Sequence, residues 1–212
     1  IQQNSHRVEE GQPIGNFYGY KSVGVDDNGH WLIEGADGNV KPIAEQNASD
    51  KKVIGNALPK WYLNFNNTVK YKWFDLSLTM RGAFGFQILN EPELFYGSPV
   101  ALGNGNVLKS AFEPKYGKVL AADQSLQYVS YYVQDGDYWK IDNLTFGYTP
   151  NVKGIKWLQN LRIYASISNL ATITGYKGID PEVSVSGLAP GIDSQYRYPS
   201  ARTYTLGINL TF

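Results

Sequence analysis

RTYTLGINLTF, residues 202–212, is the stretch whose reading decides the fold. Laid out as an extended chain, it puts Tyr204, Leu206, Ile208, Leu210 and Phe212 on one face. Thr203, Thr205, Gly207, Asn209 and Thr211 fall on the other. Side chains of a strand alternate between its faces, so apolar residues at a strict period of two predict a strand with one greasy and one wet side. A strand of a soluble sandwich alternates in the same way. The decision therefore rests on how long such strands are, how often they recur and how they are connected.

Working outward, the pattern recurs. Leu63, Phe65, Val69 and Tyr71 alternate with polar neighbours, with Asn67 a polar exception on the apolar face. Phe74, Leu76, Leu78, Met80 and Phe84 follow. Trp139 and Ile141 share a face with Leu144, Phe146 and Tyr148 if a bulge at Asp142-Asn143 shifts the register. Leu161, Ile163, Ala165 and Ile167 form a further face, and 15–25 reads as another strand of unassigned facing. The expectation is about six long strands of roughly 9 to 13 residues, enough at a tilt near 45° to cross an apolar layer of about 25 Å. Soluble strands average nearer 5 or 6 residues.

The connections alternate too. Lys72-Trp73 reads as a tight hairpin and 150–157 as a short turn, whereas 26–59, 87–136 and 170–201 are long polar stretches. Strict long–short alternation sends the long loops out on one side and the short turns on the other, as in outer-membrane barrels. The unbroken alternation closing on Phe212 has the form of a barrel's terminal strand. Aromatics fall near the strand ends: Tyr71, Trp73, Tyr148 and Trp157 by the short turns, and Trp61, Phe84, Phe86, Tyr138 and Trp139 by the long loops. These are expected as two interfacial bands. Lys70, Asp75 and Arg81, by alternation, are expected to face the lumen, where charges stay hydrated. The fold class expected is all-β: an antiparallel transmembrane β-barrel segment with long extracellular loops and short periplasmic turns.

Composition agrees. Aromatics make up 14% of the 212 residues and charged side chains only 18%, favouring strands and turns over a charged helical bundle. The formal net charge is zero, which gives no electrostatic footprint for nucleic acid. No cysteine is present, which removes disulfides and thiolate metal sites. The mean hydropathy of −0.34 reflects alternation and does not exclude a membrane barrel. The chain opens at Ile1 without Met and without a signal peptide, and reads as a piece of something longer.

Sites for chemistry are few. His6 and His30 are the only histidines, which supports neither a triad nor a two-histidine metal site. There is no GxSxG, HExxH or P-loop. Gly103-Asn104-Gly105-Asn106 reads as a turn, not a phosphate cradle. Asp26-Asp27-Asn28-Gly29 lacks the downstream spacing of a calcium loop and reads as a hairpin turn. Asp135-Gly136-Asp137 pairs two acids, but on a turn rather than across a cleft. No catalytic residue, metal or cofactor is assigned. The loop aromatics Phe95, Tyr96, Tyr116, Tyr128, Tyr131 and Tyr132 are the candidates for ligand or partner contact, against the alternative that they pack the loops together.

Five stretches, in order, carry a family resemblance: GQPIGNFYGYKSVG (11–24), IGNALPKWYLNFNNTVKYKWFDLSL (54–78), YYVQDGDYWKIDNLTFGYT (131–149), LRIYASISNLATITGYKGIDPEV (161–183) and YPSARTYTLGINLTF (198–212). Together they resemble the C-terminal part of SusC/RagA-type TonB-dependent transporters of the Gram-negative outer membrane. The resemblance implies a 22-stranded barrel with an N-terminal plug, a size class known for plugged transporters. It also implies a SusD-like surface lipoprotein as cap, coupling to the TonB complex through the plug, contact with outer-membrane lipid, and an oligosaccharide or peptide as substrate. On this reading residues 1–212 are the C-terminal part of the barrel, the plug and most of the wall lie outside the chain, and Tyr204, Leu206, Ile208, Leu210 and Phe212 form the C-terminal assembly signal. The alternatives are a siderophore- or cobalamin-type receptor and a soluble carbohydrate-binding β-sandwich.

Overall fold

The computed structural model describes residues 2–3, 5–103, 105–123 and 126–212; Asn104 of the Gly103–Asn106 turn lies outside them. The chain divides into two compact units.

One unit, made of Trp61–Phe84, Asp137–Gly175 and Pro199–Phe212, holds the long strands. These are β1 (Trp61–Tyr71), β2 (Phe74–Phe84), β3 (Tyr138–Tyr148), β4 (Asn160–Thr174) and β5 (Thr203–Thr211). They pair in chain order in one antiparallel sheet whose outer strands are β1 and β5. β1 and β2 close on the pair Tyr71↔Phe74 around Lys72-Trp73, and Lys72 takes the φ of 53° that a two-residue hairpin asks of its first central residue. The expected bulge is present: the register of β3 shifts between Ile141 and Asn143 against both neighbours. Asp142 is the extra residue against β2, and on β4 Asn169 adopts φ 53° beside the same shift.

Register fixes the faces. Val69, Leu76, Phe146, Ala165 and Leu206 lie side by side across all five strands. One residue along, Thr68, Ser77, Thr145, Ser166 and Thr205 do the same on the opposite face. A slip of one residue on any strand would exchange its two faces.

Five long strands form, not six. Residues 15–25 break into two short strands, Asn16–Gly19 and Ser22–Val25, which belong to different sheets. At Gly19 a Cβ would meet the Tyr128 ring at 2.7 Å, so this position accepts the ring only as glycine.

The second unit, Ile1–Lys60, Gly85–Gly136 and Tyr176–Tyr198, corrects the reading of its segments as long loops. They fold around a core of their own that includes Phe17, Trp31, Ile33, Leu89, Val129 and Tyr132. Among the described residues three small sheets support it; most strand pairs are antiparallel, with Gln87–Asn90 and Ile192–Asp193 parallel. Their strands of two to five residues are too brief to produce a legible period. The helix Glu91–Tyr96 starts where the Asn90 side chain accepts the Glu93 N–H at 3.0 Å, with Pro92 in its first turn. Asp26–Gly29 is a hairpin turn as expected: Asp26 Oδ1 accepts the Asn28 and His30 N–H groups, and Gly29 sits at φ 84°.

Asp50 pins the segment before β1. Its carboxylate is 1% exposed and accepts Lys41 Nζ at 2.7 Å, the Ala36 N–H at 2.9 Å and the Asn47 N–H at 2.8 Å. Lys41 above all, and then the backbone donors, hold its pKa at about 2, below the ordinary 3.8. A carboxylate with a depressed folded pKa stabilises fully above its ordinary value and loses that contribution as pH falls through the depressed one. Amide exchange over 35–52, corrected for its intrinsic pH dependence, is therefore expected to lose protection between pH 4 and 2. Asp50→Asn is expected to lower protection at neutral pH and remove the step; a retained step would assign the acid sensitivity elsewhere.

Candidate functional site

The apolar face of the long-stranded sheet is uncovered. Leu206 is 86% exposed and Ile208 64%, and Tyr204, Leu210, Phe212, Trp61, Leu63, Phe65, Val69 and Tyr71 are exposed with them. In water such a face would be a large unfavourable apolar patch. Rings cluster toward its two ends. By the short turns, Phe74 lies 5.6 Å from Phe146 and 5.0 Å from Tyr148, and Trp157 stacks on Phe212 at 5.7 Å. At the other end Phe84 stacks on Trp139 at 6.2 Å. Two residues expected in that band fall elsewhere. Tyr138 pairs with Ala83 and so lies on the opposite face from Trp139, while Phe86 is buried in the other unit beyond Gly85, whose φ of 78° turns the chain out of β2.

The opposite face is polar and ion-paired. Lys70, Asp75 and Arg81 all lie on it, with Lys70 paired to Asp75 in register. Arg81 Nε sits 2.7 Å from Asp142 Oδ2. Asp75 is gripped by Arg162, whose Nε and Nη2 donate to its two oxygens at 3.2 and 2.6 Å. The sequence reading missed Arg162 because its partner lies two strands away. The reach is open because β3 has Gly147 between them, where a Cβ would collide with Asp75 and Arg162. Gly207 likewise leaves room for the Tyr164 ring, over which the Arg162 guanidinium lies at 5.1 Å.

The candidate loop aromatics separate in the other unit. Tyr132 is 1% exposed, and Phe95, Tyr128 and Tyr131 pack against the core. Burial pushes the Tyr128, Tyr131 and Tyr132 hydroxyls up in pKa. Trp31, which sequence reasoning did not select, is the hub: Tyr131, Tyr132 and Tyr116 surround it at 5.3, 5.8 and 6.2 Å. Tyr116 and Tyr96 keep exposed surface. Phe95 and Tyr96 help line a groove of about 510 Å³ with Leu126, Asn106 and Gln195.

The histidines are separate. His6 is buried, its Nε2 2.8 Å from the Pro190 carbonyl and its Nδ1 2.9 Å from Ser5 Oγ, and burial lowers its pKa while Pro190 opposes. His30 meets Asp123 at 3.1 Å beside a cavity of about 260 Å³. Asp135 ends a short strand against Gln87, and the Asp137 carbonyl accepts the Thr174 hydroxyl at 2.7 Å. Among the described residues no cluster of three His, Cys, Asp or Glu has the makings of a metal site. Among them also, no helix is long and apolar enough to cross a membrane, which leaves strands untouched.

The class is thus an all-β chain, mostly antiparallel, whose longest sheet is amphipathic and open at both edges. No protein-family model matches it. The TonB-dependent receptor P3 of Formosa agariphila is 32% identical over 240 residues, spanning 100% of this chain and 23% of that protein. The TonB-dependent receptor SusC of Bacteroides thetaiotaomicron is 28% identical over 215 residues, covering 96% of this chain and 18% of that one. The RagAB peptide importer in its open-open state shares the fold, with a TM-score of 0.74 at 21% identity over 93% of this chain and 22% of the solved one. The chain is thus similar over its whole length to TonB-dependent receptors, SusC among them, and shares the fold of part of the RagAB importer. It spans about a quarter or less of the length of these relatives.

Proposed function

We propose that this chain supplies the C-terminal part of the barrel wall of a TonB-dependent importer in the outer membrane, together with a second unit folded from the segments between its strands. The observation that carries the reading is the uncovered apolar face running through Leu206, Ile208 and Leu210, opposite a face of hydroxyls and ion pairs. An open sheet with free edges cannot persist in hydrocarbon, so β1 and β5 require further strands, and a closed barrel of 22 is the number the family resemblance implies. The polar face then lines the lumen, with Lys70, Asp75 and Arg81 on it. The plug, the TonB contact and a SusD-like lipoprotein cap complete the machine. These residues bind and guide substrate, and no chemical step is assigned to them.

The substrate we assign first is an oligosaccharide. A peptide is the second reading, favoured by the likeness to a solved peptide importer. Phe95, Tyr96 and Tyr116 are the aromatics we assign to ligand or cap contact, because they retain access to the groove or to solvent. The test is uptake by cells carrying the full-length transporter, with labelled oligosaccharides and labelled peptides supplied separately, together with pull-down of a surface lipoprotein. Uptake that depends on TonB and a co-purifying lipoprotein are expected. A full-length protein that remains in solution without detergent would sink the reading.

A further inference from the structure

The short-turn end of the sheet holds charge that wall-building alone does not use. The Lys72-Trp73 hairpin and the 149–159 connection are tied together, since the Thr149 N–H donates to the Trp73 carbonyl at 2.7 Å. Between them lies a cavity of about 400 Å³, its lining including Lys72, Trp73, Pro150, Asn151, Lys153 and Asn160. Lys72, Lys153 and the nearby Lys156 are exposed. Across 70–75, 147–162 and 209–212 the one acidic side chain is Asp75, already engaged by Arg162 on the polar face.

One of these cations, Lys72, borders the apolar face. Lys72 Nζ lies 5.3 Å from the centre of the Tyr71 ring, which heads the exposed column Tyr71, Val69, Asn67, Phe65. The exposed Trp157–Phe212 stack stands at the same end of the sheet. Trp and Tyr rings favour the boundary between hydrocarbon and headgroups, and lysine stems reach from apolar surface toward charge. A free phosphate would use the ammonium groups alone. A lipid uses both halves of the surface.

We propose that this rim is a binding site for an anionic phospholipid, its headgroup phosphate held by Lys72 and Lys153 with Lys156 adding charge, and its acyl chains lying along Tyr71 and Phe74. The proposal rests on the barrel-wall reading.

The test is native mass spectrometry of the full-length transporter released from bilayers of equal phosphatidylglycerol and phosphatidylethanolamine. Wild type is expected to retain phosphatidylglycerol preferentially, and the preference is expected to fall by about fivefold for each of Lys72→Gln, Lys153→Gln and Lys156→Gln. Lys109→Gln and Lys177→Gln, in the other unit, are expected to leave it unchanged. Equal retention of the two lipids, or an unaltered preference in the triple variant, would overturn the site while leaving the wall intact. Lysine-dependent binding of inorganic phosphate to lipid-free protein, without phosphatidylglycerol preference, would overturn the lipid in favour of a free anion. A protein that enters no bilayer would instead refute the reading underneath.

Discussion

Leu206→Arg, introduced into the full-length protein, is expected to cost about 2–4 kcal/mol of stability in the bilayer and to cut the yield of assembled protein severely. Leu206 lies six residues before Phe212 on β5. At roughly 3.3 Å per residue and a tilt near 45°, that places it about 14 Å from the aromatic rim, near the middle of a layer about 25 Å thick. On the proposed wall reading an arginine there faces hydrocarbon at the depth where its penalty is largest. Thr205→Arg, one residue away on the polar face, is expected to be close to neutral, because water and ion pairs are at hand on that side. On the same reading Phe212→Lys falls at the rim, where the direct lipid penalty is about 0–1 kcal/mol, and its effect is expected through the lost stack on Trp157 and through the assembly signal proposed for the C-terminal strand. The order Leu206→Arg, then Phe212→Lys, then Thr205→Arg, read from urea unfolding in liposomes and from the fraction of folded protein, is peculiar to a wall. In a water-soluble sheet with Leu206 at 86% exposure, Leu206→Arg would be harmless or improve solubility. A harmless Leu206→Arg would therefore remove the premise on which the function rests.

The amphipathic sheet was legible because its signal is periodic and long. Nine to fifteen residues of alternation leave little doubt about facing, and even the bulge announced itself as Trp139 and Ile141 falling out of step with Leu144 and Phe146. The other unit was opaque for the opposite reason. Trp31, Ile33 and Val129 reach its core from strands of four residues and a single bridge, too short to establish a period. Several of its buried polar groups are paired across 17 residues or more, as in Ser110 with Glu93, Glu93 with Lys115 and His6 with Pro190, and no local pattern foretells such partners. Tyr132 and Tyr116 illustrate the limit: the same residue type in the same stretch is buried in one case and exposed in the other. Arg162 was visible as a polar-face residue, but its grip on Asp75 depends on Gly147 of the strand between them, which only the register reveals.

Lys115→Met is expected to loosen the unit built around Trp31 by about 3–5 kcal/mol, while the double variant Lys115→Met with Glu93→Leu recovers most of that loss. The Lys115 side chain is 2% exposed; its Nζ donates to Glu93 Oε1 at 2.7 Å and to the Ser110 carbonyl at 2.8 Å. Ser110 Oγ donates to the other Glu93 oxygen at 2.7 Å, so the helix Glu91–Tyr96 and the 109–115 segment are held by one buried network. The cation also lies 5.6 Å from the centre of the Tyr131 ring, one of the aromatics around Trp31. Removing the ammonium alone leaves a desolvated carboxylate, which costs more than the pair itself contributes. Removing both charges replaces them with apolar volume beside the Tyr131 ring, leaving the Ser110 hydroxyl to find a new acceptor and the Ser110 carbonyl a new donor. Hydrogen exchange over 91–118 in the assembled full-length protein measures the effect, and strongly non-additive values are expected. Additive losses would mean the two charges act independently and that the segment is held by its aromatic contacts instead. Because Phe95 and Tyr96 follow Glu93 on the same short helix and line the 510 Å³ groove, Lys115→Met is also expected to weaken whatever that groove holds, with the double variant restoring it.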